Sequence, residues 1–102
     1  MAEAVADRIH RAITFSKVVL FVKGTPQAPQ CGFSAATMAL FQKMNVPFQP
    51  YDVIADPDLR AGVPEYSEWP TFPQVFINGQ LVGGCDIVHE MYESGELQKL
   101  LK

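Results

Sequence analysis

The sequence predicts an α/β fold in which helices cover both faces of a mixed four-stranded sheet. Val18-Val19-Leu20-Phe21-Val22 is continuously apolar, which is typical of a strand buried on both faces. Segments with helical periodicity alternate with strand-like segments along the chain. Asn78-Gly79 separates two short apolar segments, which is the strongest short sequence signal for an antiparallel hairpin.

The first half of the chain is predicted to form a helix, a strand and a second helix. Apolar residues at helical spacing predict the first helix, and they are Val5, Ile9, Ala12 and Ile13. The strand Val18–Val22 ends at Gly24-Thr25-Pro26, and two prolines in 24–30 exclude regular structure there. Helical periodicity resumes from Ser34 to Met44, so Cys31 is predicted at a loop-to-helix junction.

The second half begins with a strand at Phe48–Val53. Asp56-Pro57 then has the pattern of an N-cap followed by proline at the first helical position, which predicts a helix to about Tyr66. The hairpin strands are predicted at Gln74–Ile77 and Gln80–Val82.

A closing helix is predicted to begin at Asp86, after Gly83-Gly84, and to be interrupted at Gly95. The final short turn is predicted from Leu97, Leu100 and Leu101. The element order is therefore helix, strand, helix, strand, helix, hairpin and helix.

Composition limits the function classes. The chain has 102 residues, of which 48% are hydrophobic, so one domain over residues 1–102 is expected. Eight basic and eleven acidic residues are well mixed, which argues against a nucleic-acid partner. The longest apolar run near the start, Val18–Val22, is far shorter than the ~20 residues of a membrane helix, so no membrane association is expected.

Cysteine usage indicates a compartment. Two cysteines, far apart in the chain, cannot form the disulfide framework of a small secreted protein. No signal peptide is recognised at the start, and an organelle transit peptide is either absent or already removed. An intracellular, reducing location is therefore expected, which would be the cytoplasm in a bacterium or the mitochondrial matrix in a eukaryote.

Cys31-Gly32-Phe33-Ser34 is the segment with the clearest chemistry. A thiol lies where a helix should begin, and a hydroxyl occupies the position where a redox pair would have its second sulfur, so this tetrapeptide cannot close a disulfide. Helix N-terminal N–H groups, together with Lys23, would lower the pKa of Cys31 from ~8.5 toward 3.5–7.5. The alternative is a buried, inert cysteine, and the reactive thiol is favoured.

The other residues of this segment leave two interpretations open. The Ser34 hydroxyl either satisfies backbone groups in the first helical turn or takes part in the chemistry, and the two are equally expected. Phe33 is either a core residue or an aromatic that shields the thiol.

Other candidate residues are weaker when taken alone. A cis Phe72-Pro73 bond would present the Phe72 backbone to an extended ligand, but only ~5–6% of such bonds are cis, so trans is favoured. Asp86 is expected to be a helix cap, although it could also accept from an ammonium group. Cys85 is expected to be a packing residue, with a resolving thiol as the alternative.

Arg60 is expected to be a surface charge unless a carboxylate ligand needs it. His10 and His89 have no metal-ligand spacing and are expected at the surface or an interface. Trp69 is expected to be a packing anchor.

Four segments together resemble the monothiol glutaredoxins of the Cys-Gly-Phe-Ser type. They are Lys23-Gly24-Thr25-Pro26, Cys31-Gly32-Phe33-Ser34, Trp69-Pro70-Thr71-Phe72-Pro73-Gln74 and Gly83-Gly84-Cys85-Asp86. The resemblance extends from about Val18 to Leu101 and is closest to the single-domain bacterial and mitochondrial members. It implies a thioredoxin (glutaredoxin) fold that binds glutathione.

The resemblance also implies a role for each site residue. Cys31 would be the redox-active centre and the protein ligand of a [2Fe–2S] cluster shared between two protomers. Lys23 and Arg60 would hold the glycine carboxylate of glutathione. Phe72, before a cis Pro73, would pair with the glutathione backbone. Cys85 and Asp86 would receive its γ-glutamyl end.

Three functions remain in competition. The leading hypothesis is a glutathione-dependent carrier that transfers a [2Fe–2S] cluster to apo iron–sulfur proteins, with a BolA-like partner. The second is a monothiol oxidoreductase that removes glutathione from proteins, with weak activity at most because Ser34 replaces a cysteine and the loop before Cys31 is long. The third is a redox-sensing adaptor.

Overall fold

A computed structural model describes residues 3–102, so the first two residues of the predicted domain lie outside it. The helices are α1 (Val5–Phe15), α2 (Gly32–Lys43), α3 (Pro57–Ser67), α4 (Cys85–Ser94) and α5 (Glu96–Leu100). The strands are β1 (Val18–Val22), β2 (Gln49–Asp52), β3 (Gln74–Ile77) and β4 (Gln80–Gly83). No helix within residues 3–102 is long and apolar enough to cross a membrane.

The four strands form one mixed sheet in the order β2-β1-β3-β4. Strand β1 is parallel to β2 and antiparallel to β3, and β3 is antiparallel to β4. All residues of β1 and β3 are buried, because helices cover both faces of these two central strands. The predicted mixed four-stranded sheet and the central position of Val18–Val22 are confirmed.

The two outer strands are irregular. Pro50 of β2 lies opposite Leu20, and a proline has no N–H to donate. Strand β4 has a bulge, because Phe76 pairs with Leu81 whereas its neighbour Val75 pairs with Gly83. Both edges of the sheet therefore depart from an ideal ladder.

The sheet separates two apolar clusters. Alternate β1 residues point to opposite faces, so Val18, Leu20 and Val22 join one cluster while Val19 and Phe21 join the other. The first cluster receives buried side chains from α2, α4 and α5, which are Met38, Leu40, Phe41, Val88 and Leu97. The second receives Ile9, Ile13, Leu59 and Val63 from α1 and α3.

Local signals account for most boundaries. The Asp56 carboxylate accepts from the Leu59 N–H at 3.3 Å and caps α3, and Pro57 is its first residue, as predicted. In the hairpin turn, Asn78 and Gly79 both have positive φ (54° and 80°), which is typical of a type I′ turn.

The prediction for the start of α4 is wrong by one residue. The helix begins at Cys85, and extended Gly84 occupies the N-cap position, so Asp86 lies within the first turn and is not the cap. The diglycine allows this earlier start because a glycine can end β4 and adjoin a helix directly: Gly83 has φ 151° and belongs to the strand.

Candidate functional site

A cleft of about 840 Å³ lies beside the carboxyl end of β1. The seven residues predicted from sequence all line it: Lys23, Cys31, Arg60, Phe72, Pro73, Cys85 and Asp86. These residues come from five separate places in the chain: the end of β1, the start of α2, helix α3, the segment before β3 and the start of α4. The structure therefore brings together every predicted site residue.

Cys31 occupies the N-cap position of α2 and is partly exposed. Its sulfur makes no capping hydrogen bond, yet nearby donors lower the pKa of the Cys31 thiol. The Ser34 N–H lowers this pKa most, partial burial opposes it, and the Phe33 N–H, the Ser34 hydroxyl and the Lys23 charge lower it further. The Cys31 thiol therefore lines the cleft in surroundings that favour its ionised form.

The two open interpretations next to Cys31 are now resolved. The Phe33 ring is 63% exposed, so it belongs to the surface around the thiol and not to the core. Ser34 is completely buried, and its hydroxyl accepts from the Lys23 N–H at 3.0 Å. Ser34 therefore satisfies a backbone group and also contributes to the low pKa of Cys31.

The loop between Lys23 and Cys31 is closed by hydrogen bonds. Gln30 N–H donates to the Lys23 carbonyl at 3.0 Å, and Thr25 and Ala28 donate to each other's carbonyls at 3.2 and 3.1 Å. Gly24 has φ 93°, and a Cβ atom there would lie 2.6 Å from the Ala28 carbonyl oxygen. The loop is therefore a folded turn that holds the Lys23 backbone beside the cysteine.

Asp52 is a site-supporting residue that sequence reasoning missed. Its carboxylate accepts from the Gly24 N–H and the Ile54 N–H, both at 2.9 Å. Asp52 ends β2, which is parallel to β1, so the loops that follow the two strands start side by side. The sequence signal that could have identified Asp52 is an aspartate at the carboxyl end of a predicted strand.

Trp69–Pro73 forms a second wall of the cleft. The Phe72–Pro73 bond is cis, as the resemblance implied and contrary to the expectation from base frequency. Pro73 is buried and Phe72 is half-buried. Trp69 is half-buried and lines the cleft, so it is less enclosed than a core anchor.

The start of α4 forms a third wall. Cys85 and Asp86 are in its first turn, where N–H groups have no partner within the helix and a negative charge is favoured. A side chain at Gly84 would approach the Pro73 carbonyl oxygen to 3.3 Å, so the glycine permits close contact between the two walls. Cys85 is partly exposed in the cleft and is not a simple packing residue.

His89 is a second residue that sequence reasoning missed. It lies one helical turn after Cys85, with Nδ1 at 2.7 Å from the Cys85 carbonyl oxygen and 3.6 Å from its Sγ. Together with Cys31 and Phe33 it lines a smaller adjoining cleft of about 580 Å³. His10, in contrast, is exposed and lies 3.3 Å from the Tyr66 hydroxyl, away from the cleft.

The arrangement combines a thiol with charges of both signs. Lys23 and Arg60 contribute positive charge to the lining of the cleft, and the Asp86 carboxylate contributes negative charge. Such a lining can bind a small ligand that itself carries charges of both signs. Among residues 3–102 no three His, Cys, Asp or Glu side chains are grouped so that they could hold a metal ion.

Comparisons with known proteins identify the family of this chain. The family model "Glutaredoxin" matches residues 18–82. A probable monothiol glutaredoxin 2 from Rickettsia typhi is 53% identical over 94 residues, covering 92% of this chain and 85% of the relative.

Two solved structures confirm the thioredoxin fold. A monomeric truncated mutant of Trypanosoma brucei 1-C-Grx1 has a TM-score of 0.88 at 42% identity and covers 98% of this chain and 91% of its own. Buckwheat glutaredoxin in complex with glutathione has a TM-score of 0.85 at 25% identity, covering 95% and 86%. With its single thiol at the start of α2 and this degree of identity, the chain belongs to the glutaredoxin family, as one of its monothiol glutaredoxins.

Proposed function

We propose that this chain carries a [2Fe–2S] cluster between proteins with the help of glutathione. The observation that carries this proposal is the combination of a Cys31 thiol whose pKa is lowered by its surroundings with a buried Ser34 at the position of a second sulfur. The chain can supply one sulfur ligand there but cannot complete a disulfide within the tetrapeptide. The missing sulfur ligands would come from outside the chain.

Glutathione is the proposed occupant of the cleft. Lys23 and Arg60 would bind its glycine carboxylate, and the Phe72 backbone next to Pro73 would pair with its cysteine backbone. The N–H groups of Cys85 and Asp86 would bind its γ-glutamyl carboxylate, and the Asp86 carboxylate would bind its ammonium group. The charges that line the cleft support this orientation, and the buckwheat relative was solved with glutathione.

Ligand counting then leads to a dimer. A [2Fe–2S] cluster is held by four sulfur ligands. One Cys31 and one glutathione thiol from each of two protomers provide four. Because half of these ligands diffuse freely, the cargo would be transferable, to apo iron–sulfur proteins directly or through a BolA-like partner.

Anaerobic reconstitution tests this proposal. The protein is incubated with iron, sulfide and glutathione, and the visible absorption, the mass in solution and the bound glutathione are measured. We expect a coloured dimer with two glutathione molecules and one cluster, and no cluster when another thiol reductant replaces glutathione. A colourless monomer, or a Cys31→Ser variant that binds the cluster as well as the wild type, would contradict the proposal.

A second function is favoured by the lowered pKa of Cys31, because thiolate is the attacking form in thiol–disulfide exchange. The chain would then remove glutathione from protein mixed disulfides. Rapid turnover on a glutathionylated protein, without cluster binding, would favour this enzymatic function over cluster transfer. Cys31 would take the glutathione as a mixed disulfide, free glutathione would then release it as glutathione disulfide, and we expect this turnover to be weak because Ser34 replaces a cysteine and the loop before Cys31 is long.

We also propose that residues 1–102 form one domain and that the protein works in a reducing compartment. A single sheet separates both apolar clusters, which supports one folding unit. The two cysteines are free, and Cys31 must stay reduced to bind a cluster. Limited proteolysis checks the first statement: a stable fragment much shorter than the chain would contradict it.

A further inference from the structure

Gln74 is a polar side chain that is completely buried at the first position of β3. Its side-chain nitrogen donates to the Trp69 carbonyl at 2.7 Å and to the Thr71 carbonyl at 3.2 Å. The two partners are both acceptors, so the atom between them must be the amide nitrogen, which uses both of its hydrogens. The amide therefore connects two points of the Trp69–Pro73 wall to the central strand.

This wall has little other hydrogen bonding to hold it. Residues 69–72 belong to no helix or strand and make no backbone-to-backbone hydrogen bond with the rest of the described chain. Pro70 and Pro73 also lack N–H donors. The Trp69 N–H donates to the Ser67 hydroxyl at 3.2 Å, which fixes one end of the segment. The Gln74 amide supplies hydrogen bonds that secondary structure does not.

The same amide carries a cost that a purely structural residue would avoid. The Gln74 Oε1 atom is buried without a partner, as is the Trp69 Nε1 atom. A buried acceptor without a partner is unfavourable, and an apolar side chain of similar size would remove that penalty. The amide is therefore advantageous only if its two donated hydrogen bonds hold the Trp69–Pro73 wall in a conformation that the protein needs.

We propose that Gln74 is a positioning residue for the ligand site: it holds the Trp69–Pro73 wall so that the Phe72 backbone is presented to a peptide-like ligand. This inference rests on the glutathione site proposed above. It adds a buried residue that does not line the cleft. Its effect should be on ligand affinity and not on the thiol, because Cys31 belongs to a different wall.

The test uses Gln74→Met, which keeps the side-chain length and removes both donors. We expect the dissociation constant for glutathione, measured by calorimetry, to rise about tenfold. The pH midpoint of Cys31 alkylation by iodoacetamide should stay at the wild-type value. Trp69 is the only tryptophan of the chain, so its indole N–H resonance is a unique probe of the wall, and it should shift or broaden in the variant.

A matched variant separates positioning from general destabilisation. Leu97 is completely buried in α5, in a segment that does not line the cleft, so Leu97→Ala should lower stability while leaving glutathione affinity and the Trp69 resonance unchanged. If wild type binds glutathione and Gln74→Met binds it equally well, this inference fails. If both variants lose affinity in proportion to their stability, it also fails. If wild type does not bind glutathione, the proposed function itself fails.

Discussion

The Ser34 hydroxyl accepts a hydrogen bond from the backbone N–H of Lys23 at 3.0 Å. This bond joins the end of β1 to the first turn of α2, directly across the loop that separates them. The residue in the place of a second redox sulfur is therefore part of the support for the lysine beside the thiol. Its hydroxyl has a structural role that a sulfur would fill poorly, because sulfur is a weak acceptor.

Replacement of Ser34 by alanine should cost stability and weaken the thiolate. The Lys23 N–H would lose its acceptor, for which we expect a loss of about 1–2 kcal/mol in the free energy of unfolding. The pKa of Cys31 should rise, because the hydroxyl helps to lower it. Urea unfolding and thiolate absorbance measure the two effects. The control is Ser94→Ala, at an exposed serine, which should change stability by less than ~0.5 kcal/mol. Equal losses of stability in both variants would contradict the structural role of the Ser34 hydroxyl.

Replacement of Lys23 by methionine should raise the pKa of Cys31, since the lysine charge favours the thiolate. The pH midpoint of Cys31 alkylation reports this change, and Lys99→Met, at an exposed lysine of α5 that does not line the cleft, is the control. If the pH midpoint of Cys31 alkylation were unchanged in Lys23→Met, the Lys23 charge would not influence the pKa of Cys31.

The lowered pKa of Cys31 also predicts how stability varies with pH. The pKa of Cys31 is lowered in the folded chain relative to a free cysteine, whose pKa is ~8.5. Ionised Cys31 therefore stabilises the folded chain. This contribution appears as pH rises through the folded pKa and is complete above ~8.5. Unfolding measured between pH 6 and 9 should show the increase in wild type and not in Cys31→Ser. If the stabilities of wild type and Cys31→Ser changed with pH in the same way, the predicted stabilisation by ionised Cys31 would be wrong.

Gly24→Ala should be much more damaging than Gly95→Ala. Both glycines have positive φ, 93° and 86°, so both substitutions incur about 1–2 kcal/mol of backbone cost. A Cβ at Gly24 would also lie 2.6 Å from backbone atoms of Ala28 and Gln30, whereas nothing lies within 4 Å at Gly95. Thermal unfolding compares them, and equal losses would show that the loop shifts to accept the methyl group.

Asp56 should contribute to stability at neutral pH but not in strong acid. Its hydrogen bond from Arg8, at 2.6 Å, is the main cause that lowers the pKa of the Asp56 carboxyl. Its stabilisation is therefore present above the unfolded value of ~3.9 and is lost as pH falls through the folded value. Asp56→Ala should cost about 1 kcal/mol at pH 7, and the difference from wild type should shrink in acid. Asp56→Asn keeps a capping oxygen, so its stability should lie between those of wild type and Asp56→Ala.

Sequence patterns predicted the elements where a local rule applies. Asp56-Pro57 and Asn78-Gly79 act through their immediate neighbours, so their positions were predicted correctly. The start of α4 was misplaced because two adjacent glycines permit several boundaries, and the helix begins at Cys85, directly after them.

The supporting residues of the site could not be predicted, because they act through contacts between distant segments. The Gly24 N–H reaches Asp52 only after β1 and β2 pair, and the Gln74 amide turns back to two carbonyls of an irregular loop. Most residues that line the cleft, in contrast, stand in the four segments that carry the resemblance, and Arg60 lies outside them. The lining of the cleft was therefore largely visible in the sequence, while the contacts that support it were not.

The irregular outer strands also restrict how two copies of this chain can meet. Pro50 removes a donor from the free edge of β2, and the bulge twists the free edge of β4, so neither edge is a good template for another strand. Continuation of the sheet from one molecule to the next is thereby disfavoured. Any association between two copies would therefore use a surface other than the edges of the sheet.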